Sequence, residues 1–272
     1  MCAPGLGPWR AVVGNRRCRR GFCVDVLIGT LRQNLPMHYQ ALCCDYDGTL
    51  AHDGVMANST AQALVELKRS GRKLVMVTGR EIEDLLVVCP KLSLFDRVVA
   101  ENGALLYHPA THHVRLLASS PPSEFIQLLR SRGVTPLSVG HVIVATLEPQ
   151  ETIVLEAIRD LGLELQVIFN KGSVMVLPGG INKATGLAEA LDELKIPPLD
   201  AVAVGDAEND HAFLHFCGCA VAVANALPAL KEAADFVTAG ARGQGVEQLI
   251  AELLHDDLHS RAALIGGRVQ RS

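Results

Sequence analysis

A chain of 272 residues has room for one large domain or for a core domain carrying a smaller insert. With 49% hydrophobic and 20% charged residues it can bury a full core, which excludes disorder throughout. The net charge of -4, with no long basic run in the patterned region, excludes the electrostatic footprint of a nucleic-acid binder and points to a small-molecule partner.

Residues 1–36 hold Arg10, Arg16, Arg17, Arg19, Arg20 and Arg32 against a single acid, Asp25. No apolar core followed by a small-residue cleavage site accompanies them. The readings are a targeting or anionic-surface arm, a disordered extension, or a start assigned upstream of Met37; disorder is expected, and the segment is left out of the fold. Even the apolar stretch 139–147 is broken by Gly140 and His141, far short of the roughly 20 residues of a membrane span, so no membrane partner is expected. Of the eight cysteines, Cys43 and Cys44 lie in an apolar run and Cys217 and Cys219 are spaced C-x-C, unlike zinc pairs. Buried reduced thiols and a cytoplasmic setting are expected.

From residue 38 onward, short apolar or β-branched runs alternate with helical patterns, the signature of an α/β parallel sheet covered on both faces. Predicted strands cover 42–44, 73–77, 98–100, 201–204, 220–223 and 235–237. Asn58, Ser59 and Thr60 offer N-caps to a helix ending near Ser70, where Gly71 stands as a C-terminal cap. Further helices are expected to begin near Glu81, Ile181, Asn209, Pro228 and Gln244. Residues 107–178 read differently, as an α+β insert with strands at 112–117, 139–147, 165–169 and 173–177 and helices at 123–132 and 149–161. The expected organisation is a core of 37–106 and 179–256, an inserted lid of 107–178, and a frayed tail of 257–272.

Four clusters carry chemistry. Asp45-Tyr46-Asp47-Gly48-Thr49-Leu50 begins where the first strand ends, which is where open α/β sheets bind ligands. Val77-Thr78-Gly79-Arg80 ends the second strand and opens a helix, so a hydroxyl and backbone N–H groups meet at a phosphate-friendly terminus. Lys183 falls in the first turn of the helix after the insert. Gly205-Asp206-Ala207-Glu208-Asn209-Asp210 crowds three acids after another strand, and these repel unless a lysine or a hard, oxygen-seeking cation such as Mg²⁺ neutralises them.

In order and spacing, this set resembles the four motifs of the haloacid dehalogenase superfamily of phosphohydrolases, over residues 39–254. The insert between the second and third motifs, with Glu101-Asn102-Gly103-Ala104 after the third strand, is similar to the branch with a type B α+β cap. The resemblance implies a Rossmann-like core with a small cap and Mg²⁺-dependent hydrolysis of a small phosphorylated metabolite, such as a sugar phosphate. It makes Asp45 the nucleophile that becomes an aspartyl phosphate and Asp47 the acid–base group. Thr78, Gly79, Lys183 and Asn209 would hold phosphate oxygens. The metal set it implies is Asp45, Asp206 and the Asp47 carbonyl, with Asp210 in support.

Arg132, His141, Asn170 and Lys171 are weighed as cap groups that grip the rest of the substrate, His52 as a substrate contact, and Arg80 as a phosphate or cap contact. His112 and His113, adjacent on a strand, point to opposite faces and read as surface. A phosphomutase on the same fold and a non-catalytic metabolite-binding module are the rival readings; oligomeric state is left open.

Overall fold

The computed structural model describes residues 37–265. The expected disorder of 1–36 and the end of the expected tail, 266–272, lie outside the described residues.

Among the described residues the large sheet has eight strands. Strand β1 (Ala41–Cys44) is fully buried and central, as its uninterrupted apolar sequence requires. A small ribbon of β2 (Ala51–His52) and β3 (Val55–Met56) follows, then helix α1 (Asn58–Arg69), β4 (Lys73–Val77), α2 (Ile82–Val88) and β5 (Arg97–Ala100). Strands β6 (Leu105–His108) and β7 (His113–Leu116) close the first half.

The cap comprises α3 (Ser123–Ser131), β8 (Ser138–Val139), β9 (Val144–Leu147), α4 (Glu151–Asp160), β10 (Leu165–Asn170) and β11 (Ser173–Pro178). The chain then returns through α5 (Lys183–Leu194), β12 (Ala201–Gly205), α6 (His211–Phe216), β13 (Cys219–Ala222), α7 (Pro228–Ala233), β14 (Phe236–Val237), α8 (Arg242–Asp256) and α9 (Ala262–Ile265).

The sheet order is β14-β13-β12-β1-β4-β5-β6-β7, parallel from β14 to β5 and antiparallel for the last two strands. From β1 the chain builds outward to β4 and β5, then returns to build β12, β13 and β14 on the other side. The strand order therefore reverses between β1 and β12, which makes their carboxyl ends the switch point where such sheets bind ligands.

The cap has its own four-stranded antiparallel sheet, β10-β11-β9-β8. Phe125, Leu129, Val144, Val154, Val174 and Val176 give it a separate core. A third apolar cluster, Ala104, Val142, Ile143, Met175 and Leu177, joins cap to core.

Several expectations need correction. The strand expected at the head of the insert, near 112–117, belongs to the large sheet: β7 pairs antiparallel with β6 across a short turn. Its sequential neighbour is its pairing partner, and that relation is invisible in its own polar alternation. The run 139–147 is not one strand; it breaks between β8 and β9, because the N–H groups of His141, Val142 and Ile143 turn instead to the Glu101 carboxylate. Helix α1 is preceded by Ala57 without a side-chain cap, and Thr60 Oγ1 instead donates to Glu247 at 2.7 Å. The tail is ordered through Ile265, with Leu258 buried and Arg261 paired to both Glu252 oxygens.

The described cysteines, Cys43, Cys44, Cys89, Cys217 and Cys219, are buried and free of disulfides. Among the described residues no helix is long and apolar enough to cross a membrane.

Candidate active site

Asp45 continues the register of β1: its N–H donates to Val204 O at 3.0 Å, so its side chain leaves the sheet beside the end of β12. The chain then turns tightly, with Leu50 and Ala51 N–H both reaching Tyr46 O. Gly48 has φ +91°, and a Cβ there would collide with the Asp206 carboxylate, so only glycine permits this close approach. Asp206 leaves the end of β12 facing Asp45 across the switch point.

Lys183 is the first residue of α5, whose start is fixed by Asn182. The Asn182 side chain accepts from the N–H groups of Ala184 and Thr185. The expected start at Ile181 is therefore early by two residues. A second glycine is demanded here: Gly103, at φ +107°, packs against Asn182 O with no space for a Cβ. So anchored, the Lys183 ammonium lies 2.6 Å from Asp45 Oδ1 and 2.6 Å from Asp210 Oδ1, at 1% exposure. The other Asp210 oxygen accepts from the N–H groups of Asp206 and Ala207 at 2.8 and 2.9 Å, which folds the acidic loop onto itself.

Asp47 lines the same cleft with its carboxylate in the fork of Arg80. The Thr78 hydroxyl accepts from Arg80 N–H at 3.2 Å, and Thr78, Gly79 and Asn209 line the cleft beside it. Asn209 Nδ2 donates to Asn102 Oδ1 at 2.9 Å, and Asn102 N–H donates to Thr78 O. Asp45, Asp47, Thr78, Gly79, Lys183 and Asn209 thus converge on one cleft of about 470 Å³, roofed by the cap.

The carboxylates of Asp45, Asp206 and Asp210 lie within 4.8 Å of one another. The Lys171 ammonium, from the cap, donates to Asp47 O at 2.7 Å and to the Asp206 oxygens at 3.0 and 3.2 Å. A cation therefore already stands where these oxygens converge, and an all-oxygen set of this kind fits Mg²⁺.

The haloacid dehalogenase-like hydrolase family matches this chain over residues 42–154 and 141–250. The chain belongs to that family. It is 30% identical over 224 residues to phosphoglycolate phosphatase of Methanothermobacter thermautotrophicus, covering 79% of this chain and 99% of that protein. Phosphoglycolate phosphatase 2 of Saccharolobus solfataricus is 31% identical over 218 residues, covering 77% and 90%. A solved sugar phosphatase of haloacid dehalogenase subclass IIB, BT4131, shares the fold with a TM-score of 0.64 at 20% identity, covering 79% of this chain and 98% of its own.

Membership in this hydrolase family makes the electrostatics of the acids the central question. Burial pushes the Asp45 carboxyl up to about 7, the Asp210 charge adds to this, and Lys183 opposes it. Burial also raises Asp206, against the pull of Lys171. Burial works against the Lys183 charge, but Asp210 and Asp45 outweigh it and hold the ammonium above the usual lysine range. Placing one buried cation between two carboxylates is what allows several acids to share a closed site.

Of the cap candidates, Asn170 and Lys171 line the cleft. Arg132 instead pairs with Asp160, and His141 with Glu83 on the core. His52 stands exposed in the β2–β3 ribbon beside Asp53. His112 lies in the turn before β7, where its Nδ1 meets the Tyr107 hydroxyl at 2.8 Å. Sequence reasoning gave no structural role to Glu101 or Asn102, although the Glu-Asn-Gly run after β5 was visible; what carries the signal is their left-handed backbone, φ +50° and +54°.

Proposed function

We propose that this chain hydrolyses a small phosphomonoester carried in the capped cleft, with 2-phosphoglycolate as the first candidate substrate. The observation that carries this reading is the Asp45–Lys183–Asp210 chain of charges at the switch point, opening onto Thr78, Gly79 and Asn209. The names of the two relatives support the substrate, and the limited volume of the cleft supports a compact one.

Lys183 engages Asp45 Oδ1, which leaves Oδ2 to attack phosphorus. An Asp45 O–P bond forms as the P–O bond to the leaving group breaks, and Asp47 gives that oxygen its proton. Asp47 then takes a proton from water as the water displaces Asp45 and phosphate departs. Thr78, the Gly79 backbone and Asn209 orient the phosphoryl oxygens, and Lys183 balances their charge. Asp45, Asp206 and the Asp47 carbonyl would hold Mg²⁺, which supplies charge neutralisation when bound. Asp210 acts from behind, fixing Lys183 and the acidic loop. The buried thiols, none of them in a disulfide among the described residues, support a reducing, cytosolic setting.

The experiment is phosphate release from a panel of small monoesters including 2-phosphoglycolate, with and without Mg²⁺, for the wild type and Asp45→Asn. The expected result is metal-dependent release abolished by the substitution. Release that survives Asp45→Asn would overturn the covalent mechanism. Transfer to a second sugar hydroxyl without free phosphate would favour the mutase.

A further inference from the structure

Lys171 sits at the tip of the β10–β11 hairpin, followed by Gly172, with φ +50° and +80° at the two positions. Two successive left-handed residues make the tight turn that matches strand twist, so the backbone aims this lysine from a firmly built cap element. Its ammonium rests on Asp47 O and Asp206, the oxygens a divalent ion would take. Two cations cannot share those oxygens at contact distance, because their repulsion inside a partly desolvated cleft is strong. The lysine side chain is 44% exposed and unbranched, so it is free to swing away.

The other cations lining the cleft are committed. Arg80 holds both Asp47 oxygens and also reaches Asp84, and Lys183 is fixed between Asp45 and Asp210. Every acid lining the cleft, Asp45, Asp47, Glu81 and Asp84, belongs to the core. Among the described residues the cap side of the cleft therefore presents one releasable positive charge and no negative one.

We propose that Lys171 selects the leaving group: displaced from Asp206 and the Asp47 carbonyl when the divalent ion binds, its ammonium pairs with a carboxylate on the leaving part of the substrate. This rests on the phosphomonoesterase reading above. It assigns the cap lysine two alternative partners, the metal-site oxygens in the ion-free protein and the substrate anion in the loaded one. Substrates with a carboxylate one or two carbons from the phosphate ester oxygen are then preferred over neutral alcohol phosphates of the same size.

Two measurements on the full chain test it. The first is calorimetric titration of Mg²⁺ into the wild type and Lys171→Met, without substrate. Removing the competing ammonium is expected to tighten Mg²⁺ at least fivefold; equal or weaker affinity overturns the displacement. The second is kcat/KM for 2-phosphoglycolate and for ethyl phosphate, which has the same two carbons and no carboxylate. The preference for phosphoglycolate is expected to fall tenfold or more in Lys171→Met and to return in part in Lys171→Arg. A parallel loss on both esters, or a preference that persists, overturns the selectivity. Failure of the wild type to cleave either ester would sink the phosphatase reading and the selectivity with it, while the Mg²⁺ titration still judges the displacement.

Discussion

The Arg80 guanidinium grips both carboxylate oxygens of Asp47, with Nε 2.6 Å from Oδ2 and Nη2 2.8 Å from Oδ1. The two residues come from the ends of neighbouring strands, β1 and β4. The Tyr46 ring lies 5.8 Å beneath the guanidinium, and its hydroxyl is tied to Gly54 O at 2.9 Å. A two-pronged pair fixes the plane of the carboxylate as well as its distance, which a single ammonium cannot do. Arg80 is thus a positioning residue for the proposed acid–base group.

Arg80→Lys keeps the charge and loses the fork. Misplacing a catalytic carboxylate by about 1 Å costs on the order of 10²-fold in rate. We expect kcat to fall about 10- to 100-fold while stability changes by less than about 1 kcal/mol, since the pair is partly exposed. Steady-state kinetics beside a urea melt checks both; an unchanged kcat would remove Arg80 from the mechanism.

Lys183→Met conserves the side-chain volume and strips the cation from between two buried carboxylates. Uncompensated buried charge costs about 3–5 kcal/mol, part of which protonation of Asp45 relieves. Turnover is expected to vanish and the folded state to weaken by about 2–4 kcal/mol, more at pH 8 than at pH 5.5. A variant that melts like the wild type at both pH values would contradict the electrostatic account of this site.

The raised Asp45 and Asp206 carboxyls set a pH dependence whose sign follows from linkage. A folded acid with a raised pKa binds its proton more tightly than the unfolded chain does. Its contribution to stability is full below the ordinary carboxylate value near 4 and is lost as pH rises through about 7 for Asp45. Mg²⁺ needs the same oxygens deprotonated, so its stabilisation runs the other way. The rise in Tm on adding Mg²⁺ to EDTA-treated protein should be clearly larger at pH 8 than at pH 5.5, as read by differential scanning fluorimetry. Equal shifts at the two pH values would mean that the ion binds elsewhere.

The proposed catalytic acids were legible in the sequence because they lie just beyond strand ends, so a local pattern of apolar run, acid and glycine places them. Lys183 and Asn209 were legible only through their order relative to those acids. Lys171 was visible as a cap candidate, but its contact with Asp206 joins residues 35 apart and depends on how the cap docks. The β6–β7 hairpin shows the same limit from the other side: its polar alternation suited a small domain, and only its partner strand decides which sheet it joins. Local signals report where a chain turns; long-range pairing reports what it meets there.

Glu101 makes another of these long-range contacts. Its carboxylate is fully buried, and it accepts from His141 N–H at 2.9 Å, Val142 N–H at 2.7 Å and Ile143 N–H at 2.9 Å. It is held at the end of β5 by its own N–H to Arg80 O, so one core side chain anchors the cap segment that carries Ile143 into the cleft. Each buried N–H left without an acceptor costs about 1–3 kcal/mol, reduced where water enters. Glu101→Ala is therefore expected to destabilise the protein by about 3 kcal/mol, and Glu101→Gln, which keeps one acceptor oxygen and turns an amide toward a peptide N–H, by about half of that. Because the loss falls at the junction of cap and core, amide hydrogen exchange at 141–143 should accelerate before the large sheet does. KM should also rise more than kcat falls, as a loosened roof weakens substrate capture while leaving Asp45 and Lys183 in place. Unchanged exchange at 141–143 in Glu101→Gln would show that the apolar contacts among Ala104, Val142, Ile143, Met175 and Leu177 hold the cap by themselves.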